Sequence, residues 1–195
     1  MKYQLTQLFC ETRIPLKQQK QQKQRGFTLV ELIITIAIAG ILMSLALPSF
    51  KKTMQNNKLT SMHNELLSSL SLTRNIAISR GSFATLCKSN QGGSDCDSSA
   101  SWKDGWIVFP DKNNNGSVDD GEAIIATNNS LPKNISINFP NNRVTYGAEG
   151  YARGYSGVFT FCDDLDNDNK AGMIISNTGH IRVATSDAEL GGCSN

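Results

Sequence analysis

The sequence has 195 residues, room for one domain and an anchor but too little for two sizeable domains. Its 19 Lys and Arg against 17 Asp and Glu hide two segments of opposite sign. Residues 1–26 carry Lys2, Arg13, Lys17, Lys20, Lys23 and Arg25 against Glu11 alone, and the remainder is net acidic, so the whole-chain balance is no argument for nucleic-acid affinity.

Residues 1–25 are polar, basic and low in complexity, with the run KQQKQQKQR, and read as a cytosolic leader without packed structure. Residues 27–47 follow as FTLVELIITIAIAGILMSLAL, an apolar stretch with a single charge. As a helix it covers about 30 Å at roughly 1.5 Å per residue, enough to span a bilayer. Positive charge ahead of it places the N-terminus in the cytoplasm and the C-terminal bulk outside. Past Pro48, the apolar residues Phe50, Met54, Met62, Leu66, Leu70 and Ala77 recur at multiples of roughly four. Residues 48–81 are therefore expected to continue as an amphipathic helix, bent at Pro48 and capped by Gly81.

From Phe83 onward the pattern changes to short β-rich runs split by Gly, Asn, Asp and Pro: FATLC, GWIVF, AIIAT, ISINF, RVTYG, GVFTF, GMIIS and HIRVA. Residues 82–195 should form an antiparallel β head. Asn177-Thr178-Gly179 between the last two runs predicts a terminal hairpin. The expected class is thus α+β, a long N-terminal helix, transmembrane and then amphipathic, packed on antiparallel sheet.

Cys10 falls in the leader, which leaves Cys87, Cys96, Cys162 and Cys193. With no CxxC and no His cluster beside them, these four suit disulfides of an oxidising compartment better than a zinc site. Three pairings are open. Cys87 with Cys96, closing a Gly-Ser-Asp loop, and Cys162 with Cys193, tying the tail to a strand, are favoured.

The segment Arg25-Gly26-Phe27-Thr28-Leu29-Val30-Glu31, leading into an apolar helix, resembles the type III signal of type IV prepilins, which prepilin peptidase cuts after the glycine. The resemblance implies that Gly26 precedes the cut, that Phe27 becomes an N-methylated first residue and that Glu31 serves assembly. A glycine lets a protease approach the backbone closely, because no Cβ stands in the way. An acid in a membrane helix costs about 2.5–3.5 kcal/mol on insertion scales, so Glu31 calls for a partner. The freed amine of Phe27 on a preceding subunit would supply it. Two rival readings are a secretory signal cut near Ala37-Ile38-Ala39 and a simple single-span anchor. The first conflicts with a charge inside the apolar region and an apolar run that continues past the cut, and the second leaves Glu31 without a purpose.

Residues 70–80 (LSLTRNIAISR), the aromatic strand and Asp/Asn/Gly loop of residues 102–122, and Thr178-Gly179-His180-Ile181-Arg182-Val183 resemble, in that order, stretches of the GspH/FimT family. The resemblance implies a type IV pilin-like fold with two antiparallel sheets beside the long helix. It implies a minor pilin or pseudopilin that primes a filament at its tip, with other major and minor pilins as partners and prepilin peptidase as processing enzyme. The location implied is the bacterial inner membrane, single-pass with a periplasmic head, and then pilus or pseudopilus. Alternatives within the resemblance are a DNA-binding minor pilin for uptake in natural transformation and a pseudopilin of type II secretion. The DNA reading points to Arg182 and His180, but His180 stands where the family has arginine, and a largely neutral imidazole does little for phosphate at pH 7. Asp187 and Glu189 close by would repel phosphate.

Residues 111–122, DKNNNGSVDDGE, fit the twelve-residue calcium loop, with Asp111, Asn113, Asn115, Ser117, Asp119 and Glu122 at the ligand positions and Gly116 at the bend. Strand-like flanks argue for a polar β connection instead of a helix-loop-helix. The second acidic stretch, residues 163–169, lacks both the bend glycine and the closing Glu and reads as a solvated loop. His63 and His180 lie in no catalytic motif, and there is no phosphate loop, dinucleotide fingerprint or HExxH, so the expectation is a non-enzyme.

Overall fold

The structure is a computed structural model that describes residues 26–195 apart from Ser130, Lys133, Leu165, Gly191, Ser194 and Asn195. The leader, residues 1–25, lies outside the described residues. The chain divides into two units, one ending at Leu45 and the other beginning at Ala46.

In the first unit, helix α1 (Leu29–Arg80) starts behind Thr28. The Thr28 hydroxyl accepts a hydrogen bond from the Glu31 amide at 3.2 Å, and its carbonyl accepts from Leu32 at 3.1 Å. Thr28 is thus the N-cap and Glu31 the third helical residue, a Thr-x-x-Glu pattern legible in the sequence. The apolar side chains of this stretch are exposed throughout, among them Leu29, Ile33, Ile36, Ile41 and Met43. The stretch is long and apolar enough to cross a membrane. Its hydroxyls are satisfied within the helix, Thr35 donating to the Leu32 carbonyl and Ser44 to that of Ile41, as a lipid-facing segment requires.

In the second unit the remainder of α1 carries a buried face, but it starts later than the sequence spacing suggests. Phe50 and Met54 are exposed, and burial begins at Leu59 and continues through Leu66, Leu70, Ile76 and Ala77. The helix ends where expected. The Gly81 amide donates to the Ile78 carbonyl and that of Ser82 to Ala77, a Schellman closure.

Among the described residues eight strands follow: β1 (Ala84–Lys88), β2 (Trp106–Pro110), β3 (Ala126–Asn128), β4 (Ile135–Asn138), β5 (Arg143–Tyr146), β6 (Gly157–Asp163), β7 (Asp166–Ile175) and β8 (Ile181–Val183). They form two antiparallel sheets, ordered β3-β2-β1-β5 and β4-β6-β7-β8. One apolar core joins the helix to both. Leu66 and Leu70 share it with Leu86, Trp106, Val108 and Tyr146 of the first sheet and with Ile137, Phe159, Phe161 and Met173 of the second. Trp102 stands edge-on to Phe159 at 5.1 Å, and Phe159 stacks on Phe139 at 3.8 Å. Both indole N–H groups are engaged, that of Trp102 by the Asn141 carbonyl and that of Trp106 by the Ser69 hydroxyl.

Strand β2 is buried along its whole length because both faces of its sheet are covered. Trp106 and Val108 point into the main core, while Ile107 and Phe109 form a smaller cluster with Cys87 on the other face, roofed by Val118 and Ile124. That explains why GWIVF reads as a continuous apolar run. Two strands differ from the sequence spacing. β3 begins at Ala126 because Ile124 is taken up by the roof. β7 begins at Asp166, so part of the acidic stretch read as solvated loop is strand, with Asp163 opposite Asp166 across a register shift. The backbone groups there find ladder partners, which outweighs the local polarity.

Candidate functional site

At the N-terminal end, Gly26 and Phe27 are exposed and precede the helix. Among the described residues, a Cβ added at Gly26 would meet nothing within 4 Å. Glu31 is exposed among apolar neighbours, and among the described residues its carboxylate has no ion-pair partner.

The Asp/Asn/Gly loop is folded tightly over the outer face of the first sheet. Asp111 is fully buried, with one carboxylate oxygen accepting from the Thr85 hydroxyl at 2.7 Å and the Gly116 amide at 3.0 Å, and the other from the Asn115 amide at 3.0 Å. Thr85 in turn meets the Thr145 hydroxyl at 2.7 Å. Asn113 and Asn115 turn their carbonyl oxygens to the amides of Asn115 and Ser117, and both donate their side-chain N–H groups to one oxygen of Asp119 at 2.7 Å. Glu122, also buried, closes the loop by accepting from the amides of Lys112 and Asp119. Arg143 clamps it from outside, donating to the Asn115 carbonyl at 2.7 Å. The positive φ of 76° favours glycine at Gly116, where a Cβ would also have to displace the Arg143 side chain from its place over the loop.

As donors, Asp111, Asn113, Asn115, Asp119 and Glu122 form an oxygen-rich set suited to a hard cation. The arrangement nevertheless presents two amide N–H groups to Asp119, and among the described residues no three acids, histidines or cysteines gather as a metal shell. Ser117 contributes its backbone amide to the loop.

The structure joins Cys87 to Cys96 and Cys162 to Cys193. The first bridge fastens the loop before the 3₁₀ turn Trp102–Asp104 to β1, beside the loop roof, where the Asp95 carboxylate also accepts from the Val118 amide. The second pins the tail to β6, and Leu190 of that tail lies over Gly172.

The terminal hairpin places His180 and Arg182 on the surface, around a turn closed by the Gly179 amide donating to the Ser176 carbonyl. Arg182 is occupied: it donates to Glu189 at 2.7 Å, and the Thr185 amide holds the second oxygen of that carboxylate. These contacts, the Arg182 hydrogen bond foremost, lower the Glu189 pKa to about 2. Two cations whose structural contacts the sequence does not reveal are Arg143, which holds the loop, and Arg74, of the 70–80 stretch, which lies beside the hairpin. Arg143 could have been sought as the donor for the loop's carbonyls.

Comparison with known proteins agrees with this architecture. Residues 63–179 match the family model described as "Type II transport protein GspH", and residues 21–47 match the prokaryotic N-terminal methylation motif. The chain is 39% identical over 70 residues to fimbrial protein EcpB of Eikenella corrodens, which covers 36% of this chain and 43% of that protein. It is 46% identical over 43 residues to the type IV major alpha-pilin of Moraxella bovis, covering 22% and 27%. The chain thus spans less than half the length of these curated relatives. The solved type IV minor pilin FimU of Pseudomonas aeruginosa has the same fold, with a TM-score of 0.51 at 18% identity over 66% of this chain and 90% of that one. With a family model matched over more than half of its length, behind an N-terminal methylation motif and a long apolar helix, the chain belongs to the GspH family of pilin-like proteins.

Proposed function

We propose that the chain is a minor filament subunit, held in the inner membrane by residues 27–47, cut by prepilin peptidase after Gly26 and then drawn into a pilus, where it primes assembly at the tip. The observation that carries this reading is the first helical turn. Glu31 has no ion-pair partner among the described residues and stands in an apolar, exposed helix segment that follows Gly26, where an added Cβ meets nothing among the described residues. Lipid alone would disfavour that charge, and a new amine at Phe27 of a neighbouring subunit would satisfy it. Mass spectrometry of the full chain recovered from its native membrane should show a methylated Phe27 terminus. An intact Met1 start, or a terminus beyond Ala39, would overturn the reading.

Service in a type II secretion pseudopilus uses the same helix and head. Recovery with sheared pili or with the secretion machinery separates the two. The DNA-uptake reading is less well supported, because Arg182 is engaged by Glu189. For the loop of residues 111–122, calcium remains a proposal supported by its oxygen donors and by the amide bonds that hold Asp111 in place. A bound cation would have to displace the two amide donors at Asp119. Thermal melting of the full chain should then give a higher midpoint in calcium than in chelator, and equal midpoints would count against the site.

A further inference from the structure

The second half of α1 and the terminal hairpin meet at a small cleft of about 240 Å³, lined by Leu67, Ser71, Arg74 and Asn75 of the helix and by His180 and Ile181 of the hairpin. Two of the stretches that stand out in the sequence, residues 70–80 and 178–183, therefore converge on one place. Their approach is close. At Gly179 (φ 75°) a Cβ would lie 2.1 Å from the Gly150 carbonyl oxygen, and at Gly150 one would lie 3.0 Å from Arg74 Nε. Glycine at both positions lets the turn settle onto the 150 loop and lets the loop settle onto the arginine.

Arg74 lines the cleft, and its Nε, packed against Gly150, is buried without a hydrogen-bond partner, as is the neighbouring Tyr146 hydroxyl. Burial pushes the Tyr146 pKa up to about 12, with the nearby Arg74 charge acting in the opposite direction. Among the described residues the one ion pair is Arg182 with Glu189, so Arg74 has no acidic partner within the head. A guanidinium is permanently charged and carries five donors in a fixed fork, and leaving one of them buried and unmet is costly. An acceptor entering the cleft would meet the remaining N–H groups of that fork.

The cleft's composition selects the acceptor. Affinity for DNA needs several phosphates neutralised together. Here Arg74 is the one permanently charged side chain lining the cleft, and Arg182 is committed to Glu189. A single guanidinium flanked by Ser71 and Asn75, between the apolar walls of Leu67 and Ile181, suits one carboxylate on a short aliphatic stem. Chain beyond residue 26 is itself net acidic, so neighbouring subunits of like composition have such side chains to offer. We propose that this cleft receives an Asp or Glu side chain from a neighbouring subunit of the same filament, with Arg74 as its counter-charge. The proposal rests on the filament reading above for the identity of the partner.

The test uses the full chain expressed in its native membrane. A photo-crosslinking residue at position 75 should form an adduct that maps to a segment of another filament subunit containing Asp or Glu. Arg74→Glu should lower recovery in sheared filaments by about tenfold or more, the loss usual when one member of a buried charge pair is removed. Arg74→Lys should fall between the two, and reversing the mapped acid to Arg should restore Arg74→Glu. Retention of both disulfides on a non-reducing gel separates these effects from misfolding. Filament recovery of Arg74→Glu equal to wild type overturns the proposal, as do adducts to nucleic acid alone or no adduct at all. If the wild-type chain is itself missing from filaments, the filament reading fails, and the cleft is judged by whether its adduct carries an acid.

Discussion

Thr28 and Glu31 do two jobs in one turn. The threonine caps the helix by accepting from the Glu31 amide, and the glutamate side chain stands exposed among apolar neighbours. Glu31→Gln keeps the shape and removes the charge, so processing at Gly26 should continue while recovery in filaments falls by about tenfold or more, measured as the ratio of sheared to membrane-bound protein. At the other end of the molecule, Glu189 should hold its charge far into acid. Its folded pKa is lowered from 4.5 to about 2, chiefly by the Arg182 hydrogen bond. The pairing is therefore fully present above about pH 4.5 and is lost as pH falls toward about 2. A carboxyl carbon NMR titration should find Glu189 ionised at about pH 3.5, and Arg182→Ala should move its midpoint up toward the ordinary carboxylate value. Because the same carboxylate occupies Arg182, Glu189→Gln should raise low-salt DNA affinity and steepen its salt dependence by about one unit of slope, with the wild-type chain binding no DNA at physiological salt.

Among the elements, the terminal hairpin is held by the close seating of its turn as much as by its ladder. Gly179→Ala would drive a Cβ into the Gly150 carbonyl at a positive φ, and a loss of about 2 kcal/mol or more is expected in denaturant unfolding of the full chain. The two disulfides should differ in weight. Cys162–Cys193 closes 31 residues and Cys87–Cys96 closes 9. Chain entropy alone gives about 3–4 kcal/mol for the longer loop and about 2–3 kcal/mol for the shorter, so Cys193→Ser should lower stability more than Cys96→Ser. Strand positions were largely legible in the sequence, since β-branched and aromatic runs between Gly, Asn and Asp turns fall on eight strands. The misreadings share a cause. Ile124, Phe50 and Met54 are apolar residues whose burial is set by what packs on them, and the acidic residues after Asp163 enter a strand because a partner strand is present.

At the scale of the molecule, the two units present different surfaces. The first exposes apolar side chains along its whole helix, which suits lipid or a bundle of like helices. The second satisfies its own core with one helix face and two sheets, and the loop between β2 and β3 is roofed onto the first sheet. Function in such a protein is expected to lie in contacts with other chains, at Glu31 and at the Arg74 cleft, where charges lack ion-pair partners among the described residues.

The N-terminal motif, the apolar span, the end of the helix at Gly81 and the strand-rich head are properties of local order along the chain, and the sequence alone determined them. They rest on hydrophobic period, capping chemistry and turn residues, which neighbours a few positions apart can specify. Tertiary structure decided which face of the helix is buried, that Arg143 clamps the loop, that Glu189 holds Arg182 and that Arg74 meets the hairpin. Those contacts join residues tens of positions apart, and only the closure of the fold brings their charges and surfaces within reach of one another.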